Sequence, residues 1–172
     1  TILALPQAGA GEPYILTPLP GDAPRINGPS VTGASPGKPF LYKIPVTGKK
    51  PMTLIAANLP VGLEMDPATG VISGQVKKEG EYTVDIRAKN EAGEAARSLK
   101  IVIGPHKLAL TPPMGWNSWN NWACAVDQEK VKAAADAMVS HGLIEHGWSY
   151  INIDDCWQSR ERTKAGELLP NE

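Results

Sequence analysis

The sequence predicts two joined units: an antiparallel β-sandwich over residues 40–104, then a strand–helix–strand segment over 105–172 whose crossover makes its strands parallel. Three observations carry this. Apolar and polar residues alternate with period two through 80–103, the pattern changes to a helical period after 127, and composition is uneven along the chain. Nine of the 16 prolines fall at or before Pro45, whereas both cysteines and all five tryptophans lie from Trp116 onward.

Residues 1–39 are rich in Pro, Gly, Ala and Ser and carry the turn dipeptides Pro20-Gly21, Asn27-Gly28 and Pro36-Gly37. They read as an extended leader that packs on the sandwich through Tyr14, Ile15, Leu16 and Ile26. The sandwich follows. In Gly80–Asn90, apolar Tyr82, Val84, Ile86 and Ala88 alternate with Thr83, Asp85, Arg87 and Lys89, as in a strand with one wet face. Asn90-Glu91-Ala92-Gly93 supplies a turn, and Leu99, Ile101 and Ile103 alternate with polar neighbours on the return strand, completing a hairpin. Phe40–Val46, Thr53–Ala57 and Gly70–Val76 are further strand candidates, separated by Leu59-Pro60-Val61-Gly62 and Asp66-Pro67-Ala68-Thr69-Gly70.

In the second unit, Pro113-Met114-Gly115-Trp116 is a short apolar strand candidate, and Ser149–Asp154 reads as a buried strand ending in carboxylates. Between them Asp127 is an N-cap and Glu129 lies in the first turn. Val131, Ala134, Ala135, Met138 and Val139 form one helical face before Gly142, a natural terminator.

Composition excludes several functions. Seventeen Lys+Arg against 18 Asp+Glu give a net charge of −1, so there is no excess of cations for phosphates and no nucleic-acid partner is expected. No apolar run approaches the roughly 20 residues of a membrane-spanning helix. Asp66 and the glycines around it lack the ligand spacing of a calcium loop, and His106, His141 and His146 show no pairing with the cysteines, so no metal or other cofactor is expected. Two cysteines make at most one bridge and are too far apart for a CxxC motif; two free buried thiols are the alternative. The start Thr1–Pro6 has no Met, no basic segment and only a short apolar run, so any secretion signal is expected to have been removed or left out of this sequence.

The run Leu59–Gly74, with Gly80-Glu81-Tyr82-Thr83-Val84 and Ala88-Lys89-Asn90, resembles the immunoglobulin-like modules of bacterial surface and secreted enzymes. Its glycines Gly62, Gly70 and Gly74 suit positive φ, and Asp66 suits an Asx turn. Leu108–Trp119, containing Pro113-Met114-Gly115-Trp116-Asn117-Ser118-Trp119, together with Tyr150–Trp157, closely resembles the opening of the α-galactosidase (melibiase) family of retaining glycoside hydrolases. That resemblance implies the first strand, first helix and second strand of a (β/α)₈ TIM barrel, incomplete in this chain, with Ala165–Glu172 as the loop that follows. It implies galactose contacts at Trp119, Asp154 and Asp155, a disulfide between Cys124 and Cys156, and a galactose-containing oligosaccharide or polysaccharide as substrate. A secreted, periplasmic or cell-surface location follows from the same resemblance.

Residue chemistry agrees with this on its own terms. Carboxylates at a strand's C-terminal end lie where parallel α/β barrels bind ligands, and they accept hydrogen bonds from vicinal hydroxyls, while a tryptophan face suits the C–H side of a sugar. An N-cap with a solvated carboxylate accounts for Asp154-Asp155 equally simply, and core packing does so for any single tryptophan. No catalytic residue is expected in this chain. A retaining glycosidase needs two carboxylates about 5–5.5 Å apart across the scissile bond, which sequence neighbours cannot provide, and Pro105–Glu172 supplies 68 residues (172 − 104) against about 250 for a whole barrel. A sandwich acting as a spacer or binding module is the competing reading, and β-L-arabinopyranosides are the competing substrate.

Overall fold

A computed structural model describes residues 19–171. Nine strands build the first unit: β1 (Arg25–Ile26), β2 (Val31–Ala34), β3 (Pro39–Lys43), β4 (Val46–Thr47), β5 (Thr53–Ala57), β6 (Leu63–Asp66), β7 (Val71–Gln75), β8 (Gly80–Asn90) and β9 (Gly93–Ile103). They form a four-stranded sheet in the order β2-β9-β8-β5, a three-stranded sheet β3-β7-β6 and a small β1-β4 pair. Along β8, Val84, Ile86 and Ala88 are buried and Thr83, Asp85 and Arg87 exposed, so the alternation in the sequence is the two-faced pleat itself. Val84 and Ile86 meet Phe40, Ile44, Leu63, Ile72, Leu99 and Ile101 in the main core, while Ala88 packs with Val46 and Leu54 in a second, smaller cluster, and Ile26 touches both.

The β8–β9 hairpin turns through Glu91 and Ala92, with Asn90 Oδ1 accepting from the Ala92 N–H at 2.9 Å. Gly62, Gly70 and Gly74 all have positive φ, and Asp66 accepts from the Ala68 N–H and the Thr69 hydroxyl at 2.9 and 2.7 Å.

Three expectations change here. Residues 25–26 and 31–34, expected within a leader, are strands of the sandwich: β1 pairs with β4, and β2 runs parallel to β9 from Val31↔Lys100 to Ala34↔Ile103. Their glycines and prolines hide segments too short to show a period. Tyr14, Ile15 and Leu16 lie outside the described residues, whereas Ile26 packs against the core. The strand expected over Phe40–Val46 is broken at Ile44-Pro45, where proline lacks the N–H a ladder needs, and the chain changes partner from β7 to β1. Finally, β6 lies between the two expected turns, where no strand was expected, because Leu63 and Met65 alternate with Glu64 and Asp66 over only four residues.

The second unit contains β10 (Gly115–Asn117), the short helix α1 (Trp119–Trp122), α2 (Gln128–Ser140), β11 (Tyr150–Asn152), and a hairpin of β12 (Gln158–Arg162) and β13 (Leu168–Pro170) where a loop was expected. β10 and β11 are parallel, in the register Gly115↔Tyr150 to Asn117↔Asn152. A Cβ at Gly115 would stand 2.0 Å from the Tyr150 carbonyl oxygen, so only glycine permits this approach. Asp127 caps α2 by accepting from the Lys130 N–H at 2.8 Å, and Gly142 takes the left-handed conformation beyond its end.

Burial is thin in this unit. Met138 is buried, but Val139, expected on the apolar face, is 60% exposed, and Tyr150 and Ile153 of the expected buried strand are about half exposed. A two-stranded sheet with one helix has too few layers to cover both of its faces. Among the described residues, no helix is long and apolar enough to cross a membrane.

Candidate functional site

The C-terminal ends of β10 and β11 carry the polar cluster. Their parallel register sets Asn117 beside Asn152, so the residues that follow each strand emerge at the same end. Ser118, fully buried, joins the two: its N–H donates to the Asn152 carbonyl at 3.1 Å and its hydroxyl accepts from the Asp154 N–H at 3.0 Å. Asn152 returns the link through its side-chain amide to the Trp116 carbonyl at 3.1 Å. Both strand ends are thereby held in one fixed relation.

Asn117 makes the connection between the predicted ligands. Its Nδ2 donates to Asp154 Oδ2 and its Oδ1 accepts from the Trp119 N–H, both at 2.9 Å. Asp154 Oδ1 accepts from the Asp155 N–H at 2.9 Å. Asp155 Oδ1 in turn accepts from Gln158 Nε2 at 2.9 Å and from the Cys156 N–H at 2.7 Å. The Gln158 hydrogen bond first, then the Cys156 N–H, hold the Asp155 carboxyl below the usual carboxylate range against the opposing effect of desolvation. Both aspartates are solvent-exposed, and Trp119 and Trp157 are 42% and 39% exposed as whole residues.

Cys124 and Cys156 form a disulfide, with their Cα atoms 5.0 Å apart, tying the segment after α1 to the turn after β11. Asn171 fastens the far side: its N–H donates to the Trp157 carbonyl at 2.8 Å and its side chain to the Cys156 carbonyl at 2.6 Å. Cys156 has a φ of 66°, an unusual conformation for a side-chain-bearing residue, held between the bridge and these bonds.

The structure thus brings together Trp119, Asp154 and Asp155. Sequence reading passed over the residues that orient them: Asn117, Ser118, Gln158 and Asn171. Asn117-Ser118 between two tryptophans was the available signal, since amide and hydroxyl side chains at a strand's end serve turns and caps. Of the other tryptophans, Trp116 and Trp122 meet edge to face at 5.0 Å and line an apolar hollow of about 440 Å³ against Ala134, Ala137 and Met138 of α2. Such a lining suits packing rather than a polyol. Among the described residues no group of three His, Cys, Asp or Glu side chains is placed to hold a metal ion.

Residues 23–104 match the family described as "Putative Ig domain", and residues 111–172 match the family described as "Alpha galactosidase A". The chain is thus similar, in order, to an immunoglobulin-like module and to part of an alpha-galactosidase domain. It is 44% identical to a solved "putative alpha-galactosidase" from Bacteroides fragilis, with a TM-score of 0.82 over 91% of this chain and 33% of that one. A second such structure from the same organism gives 45% identity and a TM-score of 0.79 over 87% of this chain and 32% of that one. The alpha-galactosidase of Cyamopsis tetragonoloba is 38% identical over 96 residues, 56% of this chain and 23% of that protein. Alpha-galactosidase A of Cellvibrio japonicus is 57% identical over 60 residues, 35% of this chain and 15% of that protein. The chain therefore spans no more than about a third of these alpha-galactosidases.

Proposed function

We propose that this chain is the N-terminal part of an α-galactosidase-like glycoside hydrolase that removes terminal α-galactosyl residues with retention, and that its own contribution is one wall of the galactose site. The observation that carries the reading is the Trp119–Asn117–Asp154–Asp155 constellation at paired parallel strand ends, within a segment that matches the alpha-galactosidase family. Asp154 and Asp155 accept from sugar hydroxyls, and the exposed Trp119 ring faces the C–H side. Ionised carboxylates make the stronger, charge-assisted bonds to hydroxyls.

Catalysis belongs to other carboxylates. Asp154 and Asp155 are adjacent and hydrogen-bonded to each other through the Asp155 N–H, so they cannot flank a glycosidic bond from opposite sides as a nucleophile and an acid/base must. The disulfide supports export of the protein to an oxidising compartment.

Titration of this chain with galactose, followed by amide chemical shifts, tests the binding role. Shifts are expected at 117–119 and 154–158, with affinity falling about tenfold or more in Asp155→Asn as a charge-assisted acceptor is lost. L-arabinopyranose binding as tightly as galactose would move the substrate to β-L-arabinopyranosides, and shifts confined to 40–104 would overturn the site. The chain alone should not hydrolyse a chromogenic α-galactoside; turnover abolished by Asp154→Asn would refute the assignment of catalysis elsewhere.

A further inference from the structure

Modules joined in one chain move relative to one another by default unless their interface holds them. Among the described residues, the sandwich and the barrel segment share a polar contact centred on Glu145 in the 3₁₀ turn Leu143–His146 that links α2 to β11. Its Oε2 lies 3.5 Å from Lys43 Nζ and accepts from the Val46 N–H at 3.4 Å, and its Oε1 lies 3.8 Å from Lys50 Nζ. Its backbone carbonyl accepts from Asn27 Nδ2 at 2.9 Å. Every one of those partners belongs to the sandwich.

The receiving surface is held in place before Glu145 arrives. Asn27 donates its N–H to the Pro45 carbonyl at 2.8 Å, donates its side-chain amide to Thr47 Oγ1 at 3.1 Å, and receives Arg97 Nη1 of β9 on its carbonyl at 3.0 Å. Lys43 is steered by a bond from its ammonium to the Ile44 carbonyl at 2.9 Å. The Lys43 and Glu145 side chains are only 18% and 27% exposed, so this pair is screened far less than a surface ion pair. A second, independent feature lies beside it: a Cβ on Gly147 would stand 3.0 Å from the Gly28 Cα, so the two backbones touch where neither residue carries a side chain.

Only His146, Gly147, Trp148 and Ser149 separate Glu145 from β11, and the Ser149 and Tyr150 N–H groups both donate to the Met114 carbonyl, at 3.0 and 3.1 Å. We propose that the immunoglobulin-like module is a fixed support for the barrel's first crossover, locked by Glu145, and that it sets the position of β11 rather than acting as a tethered spacer. Glu145 is on this account a positioning residue, acting through β11 on whatever the strand end binds.

The test is made on this chain. Backbone residual dipolar couplings from 25–103 and from 114–152 should fit one common alignment tensor in the wild type and two different tensors in Glu145→Ala. Amide exchange should quicken about tenfold at Val46 and across 143–152 in that variant, while the β8–β9 hairpin keeps its protection and so reports that the sandwich is folded. Lys43→Met should reproduce part of the change and add little on top of Glu145→Ala, the mark of a shared interaction. Separate tensors in the wild type, or unchanged exchange at Val46 and 143–152 in Glu145→Ala, would overturn the proposal; so would strict additivity of the two substitutions.

Discussion

Reducing the Cys124–Cys156 bond should unfold the second unit and leave the sandwich standing. The bridged residues are 32 apart in sequence, and closing a loop of that length removes unfolded-state entropy worth about 3.7 kcal/mol at 25 °C in the chain-entropy model. The unit it closes has one 13-residue helix, a two-stranded parallel sheet of three residues per strand and little buried apolar surface beyond Val126 and Met138. A segment of this size holds at most a few kcal/mol of stability, so losing the bridge removes most of it. The assay is built into the sequence. All five tryptophans lie between Trp116 and Trp157, so tryptophan fluorescence reports the second unit alone, while circular dichroism is dominated by the strands of the first. On adding reductant, or in Cys124→Ser, the fluorescence transition should move to far lower urea, or vanish, while the sandwich transition stays in place. Coincident fluorescence transitions in oxidised and reduced protein would refute the reasoning, because the bridge would then be closing a loop that packing had already fixed.

Other outcomes follow from the same geometry. Ile101→Ala, at a fully buried position on β9 between β8 and β2, should cost about 3 kcal/mol and lower the sandwich's melting temperature by about 15 °C; a shift within a few degrees would place the core elsewhere. Burial pushes the Tyr42 phenol up to about 12, with Arg97 pulling partly back. Because an unfolded tyrosine ionises near pH 10, the unfolded chain releases a proton that the folded one keeps. Sandwich stability should therefore hold below about pH 10 and fall as pH rises toward 12, and urea midpoints should show a shallower fall in Tyr42→Phe. Asp127 accepts hydrogen bonds that hold its carboxyl below the usual range, so its stabilising effect is present above about pH 4 and lost as pH drops further. Asp127→Ala should fray the first turn of α2, seen as faster amide exchange at Lys130 and Val131.

How much of this was legible beforehand differs between the two units. β8 and β9 run for eleven residues each, long enough for the alternation of Val84, Ile86 and Ala88 against Thr83, Asp85 and Arg87 to appear as a period. β1, β2 and β6 have two to four residues, and a period cannot be read from so few; what makes them strands is the neighbour they pair with. Pro45 shows the reverse case, a residue whose missing N–H was visible in the sequence but whose consequence, a change of partner strand, depended on where β1 lay.

Local chemistry by itself determined the capped helix after Asp127, the Asx turn at Asp66 and the presence of carboxylates at the end of a strand, because each involves groups within a few residues of one another. Tertiary structure alone decided which groups orient those carboxylates. Asn117 and Asp154 are 37 residues apart, Ser118 and Asp154 are 36 apart, and Asn27 and Glu145 are 118 apart, and nothing in their spacing announces a bond. Hydrogen bonds act over about 3 Å, so pairs this distant in sequence become partners only once strand register and packing have brought their backbones to the same place.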